Sequence, residues 1–338
     1  MKSGRASLPQ APPGGRSYLP VVASLVTVLL WASAFVAIRH VRVDFSAGAL
    51  ALGRLLVGSA VLGIVLGLRA LSSPARGRWW PSRRQWPSLV VCGLLWFGVY
   101  NVALNAAERR VDAGTAAMLV SIGPLLLAVL AGLLLGEGFP RRLLTGSVIA
   151  FAGVVLIGAA TSSRSAADTW GVVLCVVAAV AYAVAVVAQK PLLAHLPALQ
   201  VTWLACMIGA AGCLPFTAEL ARETAAAAPS AILWVVYLGA LPTALAFTTW
   251  AYALSRTSAG RLGVTIYLVP PLSIVMGWGL LGEMPAPLAF AGGVLCLGGV
   301  YLARRKSASS GEAPPPRGRR PARPRLKRLG PSSDPPSQ

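Results

Sequence analysis

The chain has 338 residues, of which 56% are hydrophobic and 12% charged, about half the charged share of an ordinary soluble domain. That surplus of apolar side chains excludes a soluble fold, because only a bilayer could cover it. The formal charge of +20 does not signal nucleic acid, since the basic residues sit in short connectors and a tail rather than on one folded face.

Windows near 20 residues, the length of helix that crosses hydrocarbon, mark ten predicted spans at 19–39, 47–68, 87–107, 114–135, 142–160, 170–190, 198–218, 231–254, 260–281 and 285–304. The expected fold is an all-α integral membrane protein of about ten transmembrane helices. Connectors this short leave no room for a soluble catalytic domain between spans.

Residues 1–18 form a basic tail. In the first span, Ala32-Ser33-Ala34 resembles a signal-peptide cleavage site. The apolar run continues through Phe35 to Ile38, however, and favours an uncleaved helix. The second span holds Arg54, the one cation well inside a span. Between the second and third spans, Arg76 to Pro87 reads RGRWWPSRRQWP, with tryptophans suited to the headgroup zone and arginines suited to anionic lipid. The third span carries Tyr100, Asn101 and Asn105, and ends at Glu108. Ser121 and Pro124 follow in the fourth, Tyr182 in the sixth, Trp250 in the eighth, and Tyr267 with Pro270 in the ninth. Lys306 to Gln338 has too few large apolar residues to offset the entropy of folding, so a disordered basic tail is expected over 305–338.

Cys92, Cys175, Cys206, Cys213 and Cys296 all lie in apolar runs without CxxC spacing. His40 and His195 sit near opposite ends of different runs. No metal site and no cofactor are expected. With the N-terminus inside, 23 Lys and Arg fall on the cytoplasmic side and 6 on the outer side, so both termini are expected in the cytoplasm and the chain in the plasma membrane.

The halves of the chain match without a gap at an offset of 146 residues. Asp112-Ala113-Gly114 aligns with Ser258-Ala259-Gly260, Pro124 with Pro270, Leu134-Leu135-Gly136-Glu137 with Leu280-Leu281-Gly282-Glu283, and Gly146 and Gly153 with Gly292 and Gly299. Between 112 and 156 there are 14 identities in 45 positions, Pro and Glu among them. The expected organisation is a first repeat over 19–160, a linker over 161–169 and a second repeat over 170–304. Five spans per repeat force the second copy to enter from the opposite side, and such an inverted pair suits alternating access. Pro124 and Pro270, each lacking an amide donor near midspan, are candidate hinges or static kinks. Glu137 and Glu283, at span ends, are expected to cap loop amides or pair with nearby arginines.

Polar side chains inside a bundle are costly unless they serve packing or a site. Asn101 and Asn105 share one helical face beside Tyr100 and offer amide donors and acceptors. Trp31, Ser33, Ser121, Tyr182, Trp250 and Tyr267 are the other candidates for a substrate cavity. Asn and Ser also serve as helix contacts in membranes, and Trp and Tyr as interfacial anchors. Arg54 either bonds a carbonyl or polar group, or neutralises a substrate carboxylate. Glu108 is either a proton carrier or an interfacial charge beside Arg109 and Arg110.

Trp31-Ala32-Ser33-Ala34-Phe35, Arg54 and the duplicated Ala-Gly, Pro and Leu-Gly-Glu series resemble the drug/metabolite transporter superfamily, in particular its EamA-type exporters, over residues 19–304. The resemblance implies a ten-helix inverted-repeat bundle in the cytoplasmic membrane that exports amino acids, related metabolites or drugs. Val177 to Lys190 departs from it, with Tyr182 and Gln189 in place of a Trp-x-Ser pattern. The expected function is a secondary exporter of a small molecule, not an enzyme. A membrane-embedded transferase acting on lipid-linked substrates is the alternative, disfavoured because no aspartate pair, metal cluster or Ser/His/Asp set lies near a membrane face. A non-transporting scaffold is disfavoured by the duplicated architecture. Expected partners are a substrate and the bilayer, with a homodimer left open.

Overall fold

A computed structural model describes residues 18–72, 80–111, 119–161, 168–281 and 287–304. Asp112 to Gly114, Glu283, the first part of the predicted fourth span and both basic tails lie outside these residues.

The described residues form helices and no strand. In chain order these are α1 (Leu19–Val41), α2 (Ala47–Ser72), α3 (Trp86–Ala107), α4 (Gly123–Leu134), α5 (Arg141–Thr161), α6 (Thr169–Leu192), α7 (Ala198–Gly212), α8 (Thr217–Ala226) and α9 (Pro229–Arg256). Next comes α10, which runs from Ala259–Val264 through a 3-10 turn at Thr265–Leu268 into Val269–Leu281, and the last is α11 (Pro287–Arg304). Among the described residues, eight helices are long and apolar enough to cross a membrane. A ninth span arises if α7 and the segment after it are one element bent by 56°. Apolar side chains cover the outside as well as the core, with Ile64, Leu133, Val148, Leu233 and Val294 among those exposed, as expected where lipid is the solvent.

The predicted seventh span, 198–218, breaks at Cys213. Gly212 is a weak helix former, and Pro215 cannot donate to the preceding turn. The polar helix α8 that follows turns its acids onto the start of α2. Glu223 accepts from the Ser46 amide at 2.8 Å and Glu219 from the Ser46 hydroxyl at 3.0 Å. Asp168 caps α6 through the Trp170 amide at 3.0 Å and pairs with Arg110 at 2.8 Å.

The repeat is visible in the backbone. α3 loosens into a π segment at Gly93–Tyr100, and α9 does the same at Gly239–Leu245, starting 146 residues later. A π turn leaves carbonyls poorly matched to the amides above them. In α3 the Asn101 Nδ2 donates to Trp96 O at 3.1 Å and to Phe97 O at 2.9 Å. In α9, Pro242 lacks an amide hydrogen, and the Thr243 hydroxyl donates to Leu238 O five residues back at 2.8 Å.

α5 and α11 cross antiparallel through paired glycines. A Cβ on Gly146 would meet Gly299 O at 2.5 Å, and one on Gly153 would meet Gly292 O at 2.6 Å. Gly292 and Gly299 are the offset partners of Gly146 and Gly153, so each glycine of one repeat touches the counterpart of the other. That cross-pairing is the mark of a pseudo-two-fold axis in the membrane plane. Contact this close is how small residues hold helices together in lipid. Glu137 ties the repeats at one end of the bundle, where its carboxylate accepts from the Ala259 and Gly260 amides at 2.6 and 3.0 Å and caps the start of α10.

Candidate functional site

The bundle encloses a cavity of about 110 Å³ between the second half of α1, the start of α2, the π segment and second half of α3, the start of α4, α6, α9 and the 3-10 break of α10. Ile38, Arg54, Leu104 and Val120 lie toward the end of the bundle where α1 and α3 finish and α2 begins, whereas Trp31, Trp96, Tyr182, Phe247 and Pro270 lie near midspan. Toward the other end, a cluster of rings closes the floor. Trp96 sits 4.8 Å from Phe247, 5.6 Å from Tyr182 and 5.8 Å from Trp250 between centroids, and Trp31 lies 5.3 Å from Trp250. Beneath the rings, Leu89, Leu127, Ala131, Val186, Leu254 and Leu262 are buried in one packed cluster, and a more open groove lies at that end between Arg69, Leu196 and Tyr252.

The π segment of α3 contributes Trp96 and Tyr100 to the lining, and that of α9 lies behind it and holds two lining side chains through Thr243 and Pro242. Arg54 reaches across from α2, and its Nε donates to Thr243 Oγ1 at 3.0 Å. Only 5% of Arg54 is exposed, so a cation sits inside the bundle on one neutral hydrogen bond that the structure defines, a costly arrangement without a nearby anion. Glu108, at the C-cap of α3, lies within electrostatic range of Arg54. Asn101 uses both amide hydrogens on the π carbonyls, so its Oδ1 is left as an acceptor at the cavity wall. The Trp31 indole donates to Pro242 O at 3.2 Å and is thereby fixed edge-on to the floor.

Of the residues singled out in the sequence, Trp31, Arg54, Tyr100, Asn101, Ser121, Pro124, Tyr182 and Pro270 share this lining. Five others lie elsewhere. Ser33 bonds Tyr237 Oη at 2.6 Å, Asn105 donates to Ala47 O at 3.2 Å, Trp250 is wholly buried in the ring cluster, and Tyr267 is buried between α5 and α11. Glu108 lies beyond the lining. The apolar walls, Phe35, Ile38, Trp96, Leu104, Phe247 and Ile266, carry no polar midspan group that would mark them in the sequence. The offset of 146 pointed to one of them, because Phe247 is the counterpart of Asn101. The arrangement can hold a small molecule with an anionic group against Arg54, a donor against Asn101 and an apolar body among the rings.

Comparison with known proteins gives a consistent picture. The model of the EamA-like transporter family matches residues 19–159 and again 169–305. A relative from Streptantibioticus cattleyicolor, named "Probable terminal-alkyne amino-acid exporter", is 36% identical over 85% of this chain and 94% of its own. "Uncharacterized transporter YdfC" from Bacillus subtilis is 32% identical over 80% of this chain and 86% of its own. "Probable amino-acid metabolite efflux pump" from Salmonella typhimurium is 26% identical over 61% and 72%. One crystal structure shares the fold with a TM-score of 0.67 over 84% of this chain and 96% of its own, at 20% identity.

Proposed function

The chain belongs to the EamA-like transporter family, and from that premise we propose that it exports small zwitterionic metabolites of the amino-acid class by alternating access. Membership makes it a multi-pass membrane transporter of small molecules, and the substrate class rests on the cavity. The observation that carries the reading is Arg54, a buried cation that shares a mostly apolar cavity lining with Asn101. A carboxylate offsets the cost of burying a guanidinium, and an ammonium group is a natural donor to Asn101 Oδ1. Trp31, Phe35, Trp96 and Phe247 then select an apolar side chain. The names of the Streptantibioticus and Salmonella relatives support the same class.

The excess of Lys and Arg in one set of loops supports cytoplasmic termini in the plasma membrane. In that orientation the cavity lies in the outer half and the packed rings close the inner half, which is the releasing state of an exporter. Glu108 supplies the nearby negative charge when Arg54 holds no substrate. The repeats run from about 19 to 160 and 170 to 304, with Pro124 and Pro270 as matched hinges at the cavity wall.

The test compares metabolites in the medium of cells that lack the protein, overproduce it, or overproduce the Arg54→Met variant. The expected result is a compound bearing a carboxylate, an amine and an apolar side chain, whose external level follows the native protein and not the variant. An exported compound without a carboxylate would overturn the substrate class, and a medium that never changes would overturn export.

A further inference from the structure

Among the described residues, four buried side chains have polar atoms without a hydrogen-bond partner, namely Tyr182 Oη, Trp250 Nε1, Tyr267 Oη and both amide atoms of Gln189. Three of them fall in a row. Tyr182 lines the cavity, and its ring meets Trp250 at 6.4 Å. Gln189 lies seven residues further along α6 on the same face, about 10 Å deeper into the packed half. Its neighbour Lys190 reaches the last turn of α9, where Nζ donates to Leu254 O at 2.5 Å and Thr257 O at 2.6 Å. On α9 the matching stripe is Phe247, Trp250 and Leu254, from the cavity floor toward the same end.

Gln189 is wholly buried, with neither its N–H groups nor its carbonyl partnered. Inside a bundle this lowers stability, and a leucine of similar volume would fill the site without the loss. A polar group that is costly in one state of a two-state machine earns its place in the other. We propose that Gln189, with Tyr182 and Trp250, lines the inner half of the translocation path, and that its amide binds the polar head of the substrate when the cavity faces the cytoplasm. The primary amide supplies both a donor for a carboxylate and an acceptor for an ammonium, the pair that Arg54 and Asn101 supply on the outer side. The assignment of the head group rests on the zwitterion reading above, whereas the assignment of the path does not.

Two measurements separate them. In a background with the five native cysteines replaced, Gln189→Cys is exposed to a charged methanethiosulfonate reagent from the cytoplasmic side of inside-out vesicles. Modification at least tenfold faster than in an Ala183→Cys control, equally buried but about 120° around α6 from Gln189, supports the path, whether or not amino acids are exported. Failure to react from either side overturns it. In parallel, Gln189→Leu is expected to melt at or above the native temperature while export of the compound found above falls at least tenfold. Native export by a stable Gln189→Leu protein overturns the head-group role, and a variant that melts lower shows that Gln189 is a packing residue after all.

Discussion

The bond between Arg54 and Thr243 joins the two repeats at the cavity wall, and a double-mutant cycle measures it. Thr243→Val keeps the shape of the side chain and deletes the hydroxyl. That removes a hydrogen bond to a charged group, about 1.5–3 kcal/mol, and a neutral one to Leu238 O, about 0.5–1.5 kcal/mol. The expected loss is about 2–4 kcal/mol, because the guanidinium stays buried without its hydroxyl partner. Arg54→Met replaces the buried charge by an apolar chain and is expected to be neutral or stabilising. With Arg54 gone, Thr243→Val loses only the neutral bond. The cycle should therefore return a coupling of about 1.5–3 kcal/mol, well above the deviation between independent sites. Unfolding from mixed micelles by added SDS, followed by tryptophan fluorescence, supplies the four free energies. A coupling below about 0.5 kcal/mol would refute the view that Thr243 anchors the cavity cation.

Three further outcomes are expected. Gly153→Ala places a Cβ 2.6 Å from Gly292 O, so α5 and α11 must separate at a cost of about 1–3 kcal/mol, and SDS unfolding at the native concentration would contradict this. Pro124→Ala and Pro270→Ala should each slow export at unchanged abundance of folded protein, and native rates would remove them as hinges. Arg110 holds the Asp168 carboxyl below the usual carboxylate range, helped by the Trp170 amide. That contribution is complete above the unfolded carboxylate range and fades as pH falls through the depressed folded value. Asp168→Asn keeps the helix cap and loses the pair, so its melting temperature should lie slightly below the native one at neutral pH and converge with it in acid. A gap that does not change with pH would rule the pair out as its source.

Much of this architecture is legible in the sequence because lipid imposes one strong rule, that about 20 consecutive residues be apolar. The starts of α2 and α7 and the ends of α6 and α9 fall within two residues of the predicted spans. The break at Cys213 is not legible that way, because Leu214 and Phe216 keep hydropathy high while Pro215 ends the helix. Neither π segment is legible, since a π turn has no composition of its own. It becomes visible through its consequences, the carbonyls that Asn101 and Thr243 satisfy. The same limit applies to the site. Asn101 and Asn105 look alike in the sequence, but four residues along α3 carries Asn105 past the cavity to the Ala47 carbonyl. Trp250 is a cavity candidate or an interfacial anchor by sequence, and tertiary packing makes it part of the floor.

The glycine crossing of α5 and α11 maps onto itself under the internal axis that relates the repeats. Turning the molecule over about its internal axis carries the 146–299 contact onto the 292–153 contact, so the joint looks the same from either repeat. A motion that trades the shapes of the two repeats has nothing to undo there, although it must dismantle the ring floor, which has no equivalent on the other side. A joint with that symmetry can stay closed through such a motion, so tight backbone contact there is compatible with alternating access.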